Sequence, residues 1–370
     1  MTERRRIRVL ALSPIPEEGA GCRFRIAQYI PYLRDAGYDV TLSSFYNREF
    51  FAVIYRGGHW VEKVSYFVAA SFSRLSELFR INDYDLVFLY REAIPAGPPF
   101  VEKLLADSGV PIVYDFDDAI FLPSVSDANR ALGFLKNPAR VETIVRRSTH
   151  VIVGNEYLAG FARRYNDAVS VIPTAVDTDR FKPRANPSPS GDLVVGWIGS
   201  PTTFAYLEQL LPVLQEVAKT HSFRLRVSGA GRPVNFPGVN VDVVPWSMAD
   251  EVTLFNTCDI GVYPLTDDEW SMGKCGFKAI QCMACGVPVV AAAVGVNKTI
   301  IQDGVNSFLA STFEEWVDKL RRLLSDTALR AAMAAAGRRT IEEGYSLRVT
   351  APQVAAVFNS ALHAASNQRD

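Results

Sequence analysis

No apolar run in this 370-residue sequence reaches the ~18–20 residues that a helix needs to cross a bilayer. Charge of either sign is nearly balanced, at a net −1. That balance argues against a dedicated nucleic-acid binder. Histidine is scarce, with four residues, and there are five cysteines. The odd cysteine count, with no secretory signal, predicts reduced thiols. Cys282 and Cys285 form a C-x-x-C, but the nearest histidines are His221 and His363, too far along the chain for zinc-ligand spacing. Buried structural thiols are expected there. The G-x-G-x-x-G fingerprint is also missing, which disfavours a nicotinamide dinucleotide. The start, MTERRRIRVLAL, soon meets Pro14, Pro16 and two glutamates. It reads as a first strand rather than a signal peptide, and a cytoplasmic location is expected, with the inner membrane face as a variant of it.

What is present points to a packed two-domain protein. Hydrophobic residues make up 48% and charged residues 21%, and the length suits two cores. Short apolar runs at 7–12, 38–43, 85–90, 112–114 and 150–153 alternate with helical patterns, including an amphipathic helix at 25–36. A second set of runs falls at 193–198, 224–227, 239–244, 260–263 and 287–291. This alternation predicts parallel, doubly wound sheets. The proline-rich stretch 182–191 (KPRANPSPSG) reads as a linker. The expected units are therefore 1–184, 185–346 and a terminal helix at 347–370. Two surface features have competing readings. Residues 61, 64, 68, 72, 75 and 79 form an apolar helical stripe, expected to pack on the domain's own sheet, with a membrane as the rival partner. The basic excess from Arg130 to Arg164 suits a solvated helix face, or a phospholipid or anionic acceptor.

The segment GKCGFKAIQCMACGVPVV, 273–290, carries the most chemistry. It reads as a glycine turn, a helix and a buried strand. A helix amino end presents unpaired N–H groups and partial positive charge, so it suits an anion. Lys274 and Lys278 add full charge where a diphosphate could sit and leave. Other clusters follow strand ends, where α/β sheets bind ligands. The loop SPIPEEGAGCRFR holds Gly19, Gly21, Arg23 and Arg25; YREAIP holds Arg91 and Glu92; VYDFDDAIF holds Asp115, Asp117 and Asp118. The aspartates could meet a ligand at the strand end or cap a helix. Arg91 and Glu92 could bind an acceptor or form a surface ion pair. Trp246 could stack on a base or fill the core.

Met283, Ala284, Gly286, Pro288, Val289 and Val290 match the MA-x-G-x-PVV ending of the donor-binding element in family-four (group 1) GT-B glycosyltransferases, which the chain resembles over most of its length. VIPTAVDTDRFKP resembles the family's interdomain connection, and VVGWIGSPTTFAYL the start of its donor domain. The D-x-D-D-A signature is similar to that of polysaccharide-biosynthesis members. A metal-binding D-x-D of the one-domain GT-A kind fits a two-domain chain poorly.

The resemblance implies an α/β GT-B fold: two Rossmann-like domains facing a cleft, with a terminal helix crossing back to the first. It implies transfer of a sugar from a nucleotide-sugar, UDP- or GDP-linked, to a saccharide or lipid-linked acceptor. Retention of configuration is implied, with no metal or other cofactor required and peripheral membrane contact allowed for. Donor contacts are expected from Gly19, Gly21, Gly199, Ser200, Trp246, Gly273, Cys275, Gly276, Phe277 and Gln281. Acceptor contacts are expected from Arg23, Arg25, Arg91 and Glu92. Catalysis is assigned to Asp115, Asp117, Asp118, Lys274 and Lys278. Two departures stand out. Gly273 occupies the place of the family's first glutamate, with Asp267, Asp268 or Glu269 as substitutes, and Gln281 the place of the second, a ribose ligand. Ser200, Thr202 and Thr203 stand where an arginine and a lysine are usual. The departures keep open a non-catalytic nucleotide-sugar-binding protein, and the scaffold also admits an epimerase or phosphorylase.

Overall fold

The computed structural model describes residues 5–54, 58–122, 139–184 and 192–367. Part of the basic stretch (130–138) and most of the linker (185–191) lie outside them. The chain divides into two compact units, 1–174 with 350–370, and 175–349.

The first unit is a six-stranded, all-parallel sheet. Its strands are β1 (Ile7–Ser13), β2 (Tyr38–Ser44), β3 (Leu86–Tyr90), β4 (Ile112–Phe116), β5 (His150–Val153) and β6 (Val169–Val171). The order is β2-β1-β3-β4-β5-β6. β3 reads LVFLY and is buried along its whole length, the pattern of a parallel strand covered on both faces by helices. The chain order reverses direction between β1 and β3, so the loops after these strands diverge and leave a crevice at their carboxyl ends.

The second unit repeats the plan with β7 (Leu193–Ile198), β8 (Phe223–Ser228), β9 (Asn240–Val244), β10 (Ile260–Tyr263), β11 (Val289–Ala292) and β12 (Phe308–Ala310). All are parallel, in the order β12-β11-β10-β7-β8-β9. Here the reversal lies between β7 and β10. Trp197, Phe204, Leu207, Leu214, Leu225, Trp316 and Leu320 belong to its core.

Three details differ from the sequence reading. The first helix begins at Ala20 rather than Arg25 and is broken: Ala20–Arg25, a 3₁₀ turn at Ala27–Tyr29, then Ile30–Asp35. Residues 175–184 belong to the second unit, where Arg338 donates hydrogen bonds to the carbonyls of Thr178 (2.8 Å) and Phe181. The helix Trp60–Leu78 turns its apolar stripe outward and buries Arg74 instead. The last helix, Leu347–Asn367, joins the first unit from Thr350 onward. There Phe358 packs edge-on against Tyr38 and Phe88, and Tyr38 Oη donates to Asn359 Oδ1 at 2.8 Å.

Candidate functional site

In the second unit, the turn after β7 and the loop after β10 flank the point where the strand order reverses. Gly199 and Ser200 follow β7, and Ser200 N–H donates to Thr203 Oγ1 at 3.0 Å. After β10 a short helix, Glu269–Met272, is capped by Asp268, whose carboxylate accepts from Ser271 N–H at 2.7 Å. Burial works against the Asp268 charge, but hydrogen bonds from Thr266 and Ser271 outweigh it and hold the carboxyl below its usual range. Of the three acidic residues considered as substitutes for a first glutamate, Asp268 is thus occupied as a cap.

Gly273, Lys274, Cys275 and Gly276 then turn the chain into the helix Phe277–Ala284. Gly276 has φ +65°, and a Cβ there would collide with the Ile300 side chain, so the turn requires glycine. The cap residue, Gly276, makes no side-chain cap bond, and a helix amino end of this kind suits an anion. Lys274 Nζ lies 4.8 Å from the Trp270 ring centre. Lys278 Nζ donates to Gln281 Oε1 at 2.8 Å, and Gln281 Nε2 donates to Glu251 Oε1 at 3.1 Å. Glu251 is buried, and Arg180 approaches its other oxygen at 3.8 Å. Gln281 is 0% exposed. The structure therefore gives it the task of holding Lys278, and its amide is not presented for ribose. Cys275 is buried, Phe277 is half-buried, and Trp246 lies on the surface at 37% exposure rather than in the core.

In the first unit the expected acceptor and catalytic residues gather at the reversal between β1 and β3. Asp115 lies within β4 rather than after it, and Arg25 grips it through two bonds, Nε–Oδ1 at 2.9 Å and Nη2–Oδ2 at 2.6 Å. Both are almost wholly buried (1% and 2%), so Arg25 is held in the interior and is not presented to an acceptor. Its remaining Nη1 donates to the Ile172 carbonyl at 3.0 Å. Burial pushes the Asp115 carboxyl up to about 6 against the pull of Arg25. Arg23 is buried too, donating to the Glu18 carbonyl at 3.2 Å.

Asp117 and Asp118 are better placed to meet a ligand. Asp117 accepts from Arg91 Nη2 at 2.7 Å and from Tyr90 Oη at 2.8 Å, and Arg91 Nη2 also reaches Asp118 at 3.2 Å. Burial opposes the charge on Asp117, and Arg91 outweighs it, leaving this carboxyl below its usual range. Arg91 adopts φ +57°, a left-handed backbone that costs energy for a side-chain-bearing residue. Gly21 packs directly on the Tyr90 hydroxyl, with no room for a Cβ. Gly19 precedes the helix that carries it, and Glu92 is half-buried beside Arg91.

Residues 192–326 match the family described as glycosyl transferases group 1. That matched stretch lies within the second unit. A D-inositol 3-phosphate glycosyltransferase of Salinispora arenicola is 30% identical over 62% of this chain and 59% of its own length. The chain thus spans about three-fifths of that curated relative. Sucrose-phosphate synthase of Thermosynechococcus elongatus superposes with a TM-score of 0.70 at 16% identity, covering 97% of this chain and all of that one. Anabaena HepE in complex with UDP-glucose gives 0.68 at 17% identity, covering 96% and 100%. The likeness shows the fold, which is GT-B.

Within the second unit, sequence reasoning missed Glu251 and its link to Gln281. Its signal is an acidic residue at an inward position of the helix Glu251–Asn256, whose neighbours Leu254 and Phe255 are buried. Tyr90 was read only as the end of a strand, although it orients Asp117. The five cysteines are free thiols, and among the described residues no cluster of three or more histidine, cysteine, aspartate or glutamate side chains could hold a metal ion. Burial pushes the Cys285 thiol up to about 12.

Proposed function

We propose that the protein transfers a sugar from a nucleotide-sugar to a saccharide or lipid-linked acceptor, with the donor in the second unit and the acceptor in the first. The observation that carries this reading is the uncapped amino end of Phe277–Ala284, with two lysines beside it, at the strand reversal of the unit that holds the group 1 glycosyltransferase match. As the sugar–phosphate bond breaks, negative charge grows on the departing diphosphate. Helix N–H groups and the Lys274 and Lys278 ammonium groups are preorganised to stabilise that charge. Lys278 donates to Gln281 and lies over the Phe255 and Phe277 rings, at the amino end of the helix where a diphosphate would sit.

In the first unit, Asp117 is the carboxylate we assign to the transferred sugar or the acceptor hydroxyl. It is ionised, partly exposed and aimed by Arg91 and Tyr90. Asp115 and Arg25 support that loop from below. The reaction is proposed to retain configuration and to run without a metal, since the lysines supply the charge a divalent ion would bring. UDP- and GDP-sugars are the donors to test first, and the UDP-glucose bound to Anabaena HepE favours UDP.

The test is a thermal-shift panel of UDP-, GDP-, ADP-, CMP- and dTDP-sugars, followed by turnover with the donor that binds. A ligand that prefers the native state raises its stability. A shift with one nucleotide class and none with the rest is expected; no shift with any would overturn the donor site. A second reading, binding without transfer, is favoured by Gly273 in place of a glutamate. Donor binding with no turnover across an acceptor panel would select it.

A further inference from the structure

The helix Trp60–Leu78 is inverted relative to an ordinary surface helix. Its arginine is inside and its valines are outside. Arg74, 2% exposed, donates to the carbonyls of Ala93 (3.1 Å), Ser13 (3.3 Å) and Ser43 (3.2 Å), to Ser43 Oγ (3.0 Å) and to Glu77 (2.6 Å). A cavity of about 250 Å³, lined by Phe50, Tyr66, Ser73, Arg74 and Glu77 among others, lies under the same face. The opposite face is apolar and open: Trp60 is 64% exposed, Val61 86%, Val64 59%, Val68 47% and Phe72 70%, and Phe79, just past the helix end, 92%. Rolling the helix to bury this stripe would pull Arg74 out of its network and strand a charge and several carbonyls. The stripe is therefore fixed outward, and a continuous exposed apolar surface marks an interaction site.

The dimensions and charges select the partner. Nineteen residues make a rod about 28 Å long, and a helix face about 10 Å wide then offers on the order of 300 Å². A stable dimer needs about 800 Å² from each partner. Among the described residues no helix is long and apolar enough to cross a membrane, so contact with lipid would be lateral. Glu62 pairs with His59 at 3.1 Å, and Glu77 turns inward to Arg74. Basic and aromatic groups mark both ends. Lys63 sits 5.6 Å over the Trp60 ring, and Arg80, largely exposed and paired with Asp83 at 3.2 Å, adjoins Phe79.

We propose that the helix Trp60–Leu78 is an interfacial anchor that lies flat on a phospholipid bilayer. The valines and Phe72 enter the acyl boundary, while Trp60 and Phe79 sit at headgroup level and Lys63 and Arg80 lie near lipid phosphates. The inference does not rest on the transfer reaction, and the two can fail separately: one is read by vesicle binding, the other by donor binding and turnover.

The experiment is flotation of the full chain with phosphatidylcholine vesicles and with vesicles containing phosphatidylglycerol. The protein should float with lipid, more strongly on the anionic vesicles. A Val68→Asp/Phe72→Asp double variant should reduce the bound fraction about tenfold at unchanged melting temperature, because it places two charges in the acyl boundary. Tryptophan fluorescence should shift to the blue on adding vesicles, and the shift should vanish in Trp60→Phe. Absence of flotation with both vesicle types would overturn the proposal, as would a double variant that floats like the parent. So would a concentration-dependent dimer, by light scattering, that Phe72→Asp abolishes, since the stripe would then belong to a second copy.

Discussion

The two units place charged groups at the same point of the same kind of sheet and treat them in opposite ways. In the first, carboxylates at the reversal between β1 and β3 are matched by arginines: Arg25 on Asp115, Arg91 on Asp117 and Asp118. In the second, lysines at the reversal between β7 and β10 stand beside an uncapped helix end, and Lys278 rests on a neutral amide. A matched charge shapes the backbone around it. A charge resting on an amide can still exchange that partner for a phosphate. On the proposed reading, this difference divides structural work, weighted to the first unit, from anion binding, weighted to the second.

The sharpest way to break that division is through the buried pair. Asp115→Ala leaves the Arg25 guanidinium without its counter-charge in the interior. A loss of about 3–5 kcal/mol in stability is expected, read by urea unfolding. A double Arg25→Met/Asp115→Leu variant should recover most of it, because the desolvation cost disappears with both charges. If Asp115→Ala instead left stability intact and abolished turnover, Asp115 would be a reacting group and the division would fail.

The lysines test the other half. Lys278→Ala should reduce turnover by about 10²–10³-fold, the scale of a preorganised charge-stabilising group, with little change in melting temperature. Lys274→Ala should act in the same direction. Gln281→Leu is intermediate: it strips a donor from buried Glu251, which costs about 1–3 kcal/mol, and releases Lys278. Near-normal turnover in Lys278→Ala would refute its assignment to the diphosphate.

The alternation of apolar runs and helical patterns was enough to read two parallel α/β sheets, because strands buried on both faces are written as near-continuous Val, Ile and Leu. β6 and β12 escaped notice because each is a three-residue edge strand, too short to carry a periodic signal. The stripe on Trp60–Leu78 was legible as a stripe, but its direction was not. Periodicity locates an apolar face without saying what it meets, and here one buried arginine decides the orientation. At the candidate site, the lysines and glycines after β10 could be found from spacing alone. The burial of Gln281 and Arg25 could not, since both depend on partners far along the chain, Glu251 and Asp115.

The smallest expected effect separates two neighbouring carboxylates by sign. Asp115 rises from an ordinary 3.8 to about 6 in the folded chain because burial outweighs Arg25. A raised carboxyl takes up its proton more readily when folded, so its contribution to stability is present below the ordinary range and is lost as pH rises through about 6. Asp117 lies below its usual range because Arg91 outweighs burial; its contribution is present above the ordinary range and lost as pH falls. Melting temperature measured from about pH 4 to pH 7 should therefore decline less steeply in Asp115→Asn than in the parent, the linkage slope being at most about 1.4 kcal/mol per pH unit for one proton. Asp117→Asn should leave that window unchanged and flatten the acid limb below it. Identical slopes in the parent and Asp115→Asn would show that the buried pair does not titrate there, and that Arg25 wins over burial.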